Sequence, residues 1–204
     1  MLRELLIATT NPGKVREIRR VLAGVPQTLR SLSEFPPIAE PDEHGATCAE
    51  NALLKASHYA AATGLPTVAE DSGLFIDGLD GRPGVQSARY PGETYPDKFM
   101  SLYRELASNP RPWTARFLCA AAVVDAGQTL FTCEAAVEGE IAPEPRGAHG
   151  FGYDPIFFYP PYGCTFGEAS DERKLAVAHR GRAFRLVREY LRERRQQQNG
   201  ARGL

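Results

Sequence analysis

Adjacent carboxylates at Glu70 and Asp71, in the stretch "AEDSG", are the side chains of this chain best suited to chemistry. A carboxylate at the end of an apolar strand can hold a divalent cation or take a proton from water. Side chains alternate along a strand, so one of the two can face a ligand while its neighbour faces away. The same Asp-Ser-Gly triplet also reads as ordinary turn chemistry. The stretch "TTNPGK", Thr9 to Lys14, offers the opposite charge. Where a strand turns into a helix, unpaired backbone N–H groups and a positive dipole end suit a phosphate. Two hydroxyls, the Asn11 amide, Gly13 and Lys14 add donors and room. This is not a Walker A loop, because a single glycine precedes Lys14 and Val15 follows it. A well-capped helix start without a ligand explains the same residues.

Further donors lie toward the C-terminus. In "GAHGFGYDP" the glycines let the backbone close on a ligand, Phe151 and Tyr153 offer flat faces, and Asp154 offers an acceptor. An aromatic core loop is the competing reading. In "KLAVAHRG" the nitrogens of Lys174, His179 and Arg180 suit carbonyl or phosphate oxygens, or form a solvated basic patch. Glu43 lies in an acidic loop, and Lys55 points to solvent or toward a ligand. Glu50 is explained as the acid of a capping box opened by Thr47. His44, His58 and His149 have no metal-ligand spacing.

These residues need elements to hold them. "RELLIA" reads as a buried strand, and Asn11-Pro12 opens a helix with Val15, Ile18 and Leu22 on one face. "QTLRSL" reads as a strand and "FPPIAEPDEHG" as a loop. Thr47 starts a helix that ends near Gly64. "TVAEDSGLFIDGL" has strand character on both sides of Asp71-Ser72-Gly73. Asp97 to Ala107 is amphipathic, and the long apolar stretch after Thr114 reads as two strands joined near Ala126-Gly127-Gln128. A last helix spans about Arg182 to Arg195. Strands alternating with helices predict an α/β fold, and adjacent strands add an antiparallel part. The expected architecture is an elongated mixed sheet flanked by helices, with two lobes and a central cleft. The expected organisation is a single domain over 1–204, with a frayed tail at 196–204.

Composition narrows the function classes. The chain has 204 residues and a net charge of −1, which gives no sign of nucleic acid or an anionic membrane as partner. No apolar run approaches the roughly 20 residues of a membrane span. No leader is read in "MLRELLIATTN". Four scattered cysteines without a C-x-x-C pair read as reduced thiols of a cytoplasmic protein.

Together, "TTNPGK", "EHGATCAENALLKA", "EDSGLFIDGLDGRPGVQSARY", "PRGAHGFGYDPIF" and "KLAVAHRG" resemble, in order and spacing, one family. It comprises the pyrophosphatases of deaminated purine nucleoside triphosphates, also called inosine triphosphatase, Ham1-like, or XTP/dITP diphosphatase. The resemblance implies hydrolysis of ITP, dITP or XTP to the monophosphate and pyrophosphate, cleansing the nucleotide pool. It also implies Mg²⁺, a homodimer and a cytoplasmic location. By the same resemblance, Asp71 is the general base, and Glu43 with Asp71 holds the metal. Thr9, Thr10, Asn11, Pro12, Gly13 and Lys14 bind the triphosphate, with Ser72 beside it and Lys55 as a further phosphate contact. Phe151, Gly152, Tyr153 and Asp154 shape the base and sugar pocket. Lys174, His179 and Arg180 read the purine O6, which adenine replaces with an amino group. Guanine also carries O6, so its exclusion rests on the 2-amino group. Glu70 departs from the family's frequent aspartate, and Ala178 stands where a serine often precedes His-Arg-Gly. Rival readings are a non-catalytic nucleotide sensor, a nucleic-acid module, and an enzyme acting on modified pyrimidine triphosphates.

Overall fold

In the computed structural model, residues 2–200 are described, with side chains through 197. Strand β1 (Glu4–Ile7) is the expected apolar strand, and all but its first residue are buried. Asn11 caps α1 (Pro12–Val21), with Pro12 in the first turn. β2 (Thr28–Ser31) follows, and α2 (Cys48–Thr63) opens on the Thr47/Glu50 capping box and ends at Gly64 in the left-handed region. β3 (Thr67–Ile76) runs unbroken through Asp71-Ser72-Gly73, so the turn reading of this triplet is replaced by continuous strand. Glycine 73 is suited to that strand because a Cβ there would lie 2.2 Å from the Gly84 carbonyl oxygen of the neighbouring β4 (Pro83–Gly84).

Helix α3 (Tyr95–Leu106) begins two residues before the amphipathic pattern, because Thr94 and Asp97 form a second capping box. β5 (Thr114–Asp125) and β6 (Gln128–Ile141) are joined through Ala126 and Gly127, both at positive φ. That pair of left-handed residues is the geometry of a tight hairpin turn. β7 (Phe157–Tyr159), β8 (Cys164–Thr165), α4 (Asp171–Val177) and α5 (His179–Gly200) complete the chain. The expected fray at 196–204 falls partly on 201–204, which lie outside the described residues.

The sheet is mixed, in the order β2-β1-β3-β5-β6-β7-β8, with β4 paired to β3. β1 is parallel to β2 and β3, while β3/β4, β6/β7 and β7/β8 are antiparallel. The chain forms two compact units. One comprises the residues up to Asp71, Cys119–Ala135, and Arg180 onward; the other comprises Ser72–Leu118 and Ala136–His179. The first unit buries Leu5, Leu6, Ile7, Ile18, Phe184 and Leu191. The second is built on an aromatic core that includes Phe99, Trp113, Phe117, Phe157 and Phe166. No described helix is long and apolar enough to cross a membrane.

The Thr47 cap offers a direct check on the first unit. Thr47→Ala removes the acceptor for the Glu50 N–H and should cost about 1 kcal/mol. Urea denaturation reads this as a lower midpoint at unchanged slope, and an unchanged midpoint would show that the cap does not limit stability.

Candidate active site

In the first unit, a lysine and two acids converge. The Lys55 ammonium lies 2.9 Å from Asp71 Oδ1 and 3.4 Å from Glu43 Oε2. Helix α2 aims Lys55 there, and the same helix supplies Asn51, whose amide donates to Asp71 Oδ2 at 3.3 Å. The other end of that amide accepts from the Gly45 N–H at 2.8 Å. Asn51 therefore locks the Asp71 carboxylate onto the loop that carries Glu43. Burial alone would lower the Lys55 pKa. The carboxylates of Asp71, Glu70 and Glu43 overcome that and hold the ammonium above its ordinary value.

Alternation along β3 sends Glu70 the other way, onto Lys14 and Arg180. Lys14 Nζ lies 2.7 Å from Glu70 Oε1. The turn before it is closed on itself. Asn11 Oδ1 accepts from the N–H groups of Gly13 and Lys14, and Thr9 Oγ1 accepts from the N–H of Asn11. The N–H groups of Asn11, Gly13 and Lys14 are thus taken up by neighbouring side chains, the last two by the expected Asn11 cap. Thr10 Oγ1 donates to Glu40 at 3.0 Å. The cation of this turn is presented by the Lys14 side chain.

The second unit gathers the aromatic loop and Lys174. Lys174 Nζ lies 2.5 Å from Asp154 Oδ2 and 4.5 Å from the centre of the Phe151 ring. The same Asp154 oxygen accepts from the Phe151 N–H at 2.7 Å. Gly150 makes room for it: at φ +72, a Cβ there would lie 2.1 Å from that oxygen. Phe151 and Gly152 are half-buried, so this part of the loop remains accessible. Tyr153 is different. It is buried against Tyr95 and Phe99 and donates its hydroxyl to the Ser87 carbonyl at 2.7 Å. The core-loop reading therefore describes Tyr153, while Phe151 is half-buried and carries the Lys174 ammonium over its ring. Ser72 follows Asp71 directly on β3 and is half-buried.

The basic cluster near the last helix is not a solvated patch: Lys174, His179 and Arg180 are all buried. Lys174 sits within α4, a short helix missed by sequence because seven residues give little periodicity. The His179 ring stacks on Phe117, with centroids 4.6 Å apart. Sequence proximity groups Arg180 with them, but its guanidinium donates to Glu17 Oε2 at 2.7 Å and lies near Glu70. Ala178 is fully buried in the aromatic core. Sequence reasoning did not single out Asn51, Glu17 or Cys119. Asn51 and Glu17 each follow a recognised motif on the same helix, which is the signal that could have found them. Among the described residues, no group of three or more His, Cys, Asp or Glu side chains converges.

Comparisons with known proteins place nearly the whole chain beside one family. The Ham1 family profile matches residues 5–190. A dITP/XTP pyrophosphatase of Geobacter sulfurreducens is 48% identical over 190 residues, covering 92% of this chain and 96% of that protein. The dITP/XTP pyrophosphatase of Bacillus subtilis is 42% identical, covering 94% and 98%. A HAM1 protein from Coxiella burnetii superposes with a TM-score of 0.86 at 37% identity, covering 95% of this chain and all of that one.

Proposed function

The chain belongs to the Ham1 family, and on that premise we propose that it hydrolyses deaminated purine nucleoside triphosphates to the monophosphate and pyrophosphate. The substrates are dITP, XTP and ITP, the first two taken from the names of its relatives. The observation that carries the reading is the convergence of Asp71 and Glu43 on one cation, the Lys55 ammonium.

Carboxylates that share an ammonium can also share a divalent ion. Mg²⁺ commonly uses one or two carboxylates and completes its shell with water and substrate phosphates. Glu43 and Asp71 therefore fit it without a third acidic ligand. Bound there, Mg²⁺ would neutralise charge on the phosphates. Asp71, oriented by Asn51 and Lys55, takes the proton from the water that attacks the α-phosphate. Lys55 and Lys14 offset the negative charge that grows on the phosphoryl group and the departing pyrophosphate. The turn from Thr9 to Lys14, together with Ser72, receives the phosphates. Phe151 stacks on the base, within a loop shaped by Gly152, Tyr153 and Asp154. Lys174 and His179 supply donors for O6. Adenine presents an amino group there, and each buried mismatch costs about 1–3 kcal/mol. The same reading carries a cytoplasmic location and a homodimer, the latter tested by light scattering on the purified chain.

The test of the activity is a panel of nucleoside triphosphates with Mg²⁺ and pyrophosphate detection. ITP and XTP should turn over about ten to a hundred times faster than ATP. Equal rates on ATP, or orthophosphate as the direct product, would sink the assignment.

A further inference from the structure

Glu70 has no task in a mechanism that gives the proton to Asp71 and the metal to Asp71 and Glu43. Its surroundings are nonetheless specific. The residue is 1% exposed, which rules out an ordinary solvated acid. Oε1 lies 2.7 Å from Lys14 Nζ and 3.6 Å from Arg180 Nε, while Oε2 accepts from the Cys119 thiol at 3.4 Å. Burial alone would raise its pKa. The Arg180 guanidinium, then the Lys14 and Lys55 ammoniums, outweigh that and hold the carboxyl well below the usual range. Burial and the adjacent Glu70 push the Cys119 thiol up, so it stays protonated and donates.

Arg180 is fixed in turn by Glu17, three residues after Lys14 on α1. An alternating chain of charge, Glu17, Arg180, Glu70, Lys14, therefore runs from α1 through the start of α5, across β3, and back to α1. Arg180 and Glu70 are sealed from water, whereas the Lys14 side chain is 19% exposed. The chain thus ends on the cation of the phosphate turn. A free lysine stem samples many rotamers, and a buried carboxylate on its ammonium selects among them. The ammonium has three donors, so one can serve Glu70 while others serve phosphate oxygens.

We propose that Glu70 is a positioning residue that holds Lys14 in place for the triphosphate. Arg180, paired to Glu17, flanks the same carboxylate. The statement about substrate rests on the pyrophosphatase reading; the ion chain stands on geometry alone.

Two measurements separate these. The first is the rate at which an amine-acylating reagent labels Lys14, read by peptide mass spectrometry. Glu70→Gln should raise it severalfold, because the ammonium loses the carboxylate that holds it at 2.7 Å. Glu70→Asp should recover part of the protection. The second is steady-state kinetics, with inorganic tripolyphosphate as the competing ligand. Glu70→Gln should raise KM for ITP and weaken tripolyphosphate inhibition about tenfold, with kcat changed less than about threefold. The ITP-to-ATP ratio of this variant should stay at the wild-type value, because Glu70 acts through Lys14 on the phosphates. Unchanged Lys14 labelling in a folded Glu70→Gln protein would overturn the proposal. So would a Glu70→Gln protein that loses the ITP-to-ATP ratio but keeps tripolyphosphate inhibition. If the wild type does not hydrolyse ITP, the activity reading fails, and the labelling result still decides whether Glu70 holds Lys14.

Discussion

Asp71→Asn should lower the rate of pyrophosphate release from ITP by about a thousandfold or more, within the range typical of a lost general base. The replacement keeps the shape of the side chain and removes its charge and basicity. The local cost is bounded by two contacts. The Asn51 amide oxygen is committed to the Gly45 N–H, so its nitrogen must point at residue 71 and needs an acceptor there. Asn51 and Lys55 bond different oxygens of Asp71, and an asparagine at 71 keeps an oxygen at one of those two places only. The loss is then about one charge-assisted hydrogen bond, roughly 1.5–3 kcal/mol. Glu43 remains near Lys55, so the ammonium keeps a counter-charge. The folded population should persist, with a modestly lower melting midpoint. Calorimetry with ITP and Mg²⁺ should still detect binding. A variant within tenfold of wild-type turnover would remove Asp71 as the base.

Much of this arrangement is legible in the sequence, for identifiable reasons. The start of α1 is written locally: Asn11 and Pro12 specify cap and first turn, and the observed bonds from Gly13 and Lys14 to Asn11 follow. The Thr47/Glu50 box is equally local. What is not local is where a charge ends up. "AEDSG" permits a turn, and the pairing of Leu74 with Gly84 is what extends β3 through it. "KLAVAHRG" reads as one basic cluster, yet Lys174 meets Asp154 and Arg180 meets Glu17, 20 and 163 residues away. A buried cation is defined by partners distant in sequence, and no periodicity encodes them. The parallel pairing of β1 with β2 and β3 is hidden for the same reason.

Lys174→Met should destabilise the second unit by about 3–5 kcal/mol, as breaking one side of a buried ion pair generally does. Both partners are nearly sealed, with side chains 2% and 3% exposed. Methionine fills the lysine stem's volume, so the cost comes from charge rather than from a cavity. It removes the ammonium from a carboxylate that burial already penalises, while the Phe151 N–H stays on it. The converse variant, Asp154→Asn, retains an acceptor for Phe151 but withdraws the negative charge from Lys174. It should cost a similar amount. The double variant should cost less than the sum of the singles, because it buries neither charge alone. Urea denaturation followed by the near-ultraviolet signal of Trp113, which lies in this unit's core, measures all three. Loss of less than about 1 kcal/mol in Lys174→Met would show that water reaches the pair and screens it. The expected size has a functional corollary. Asp154 ties the Lys174 ammonium to the Phe151 backbone through one oxygen, so the lysine proposed to read O6 and the ring proposed to stack on the base share a single anchor. Lys174→Met should therefore raise KM for ITP even under conditions where the protein is fully folded, and an unchanged KM would separate the anchor from base recognition.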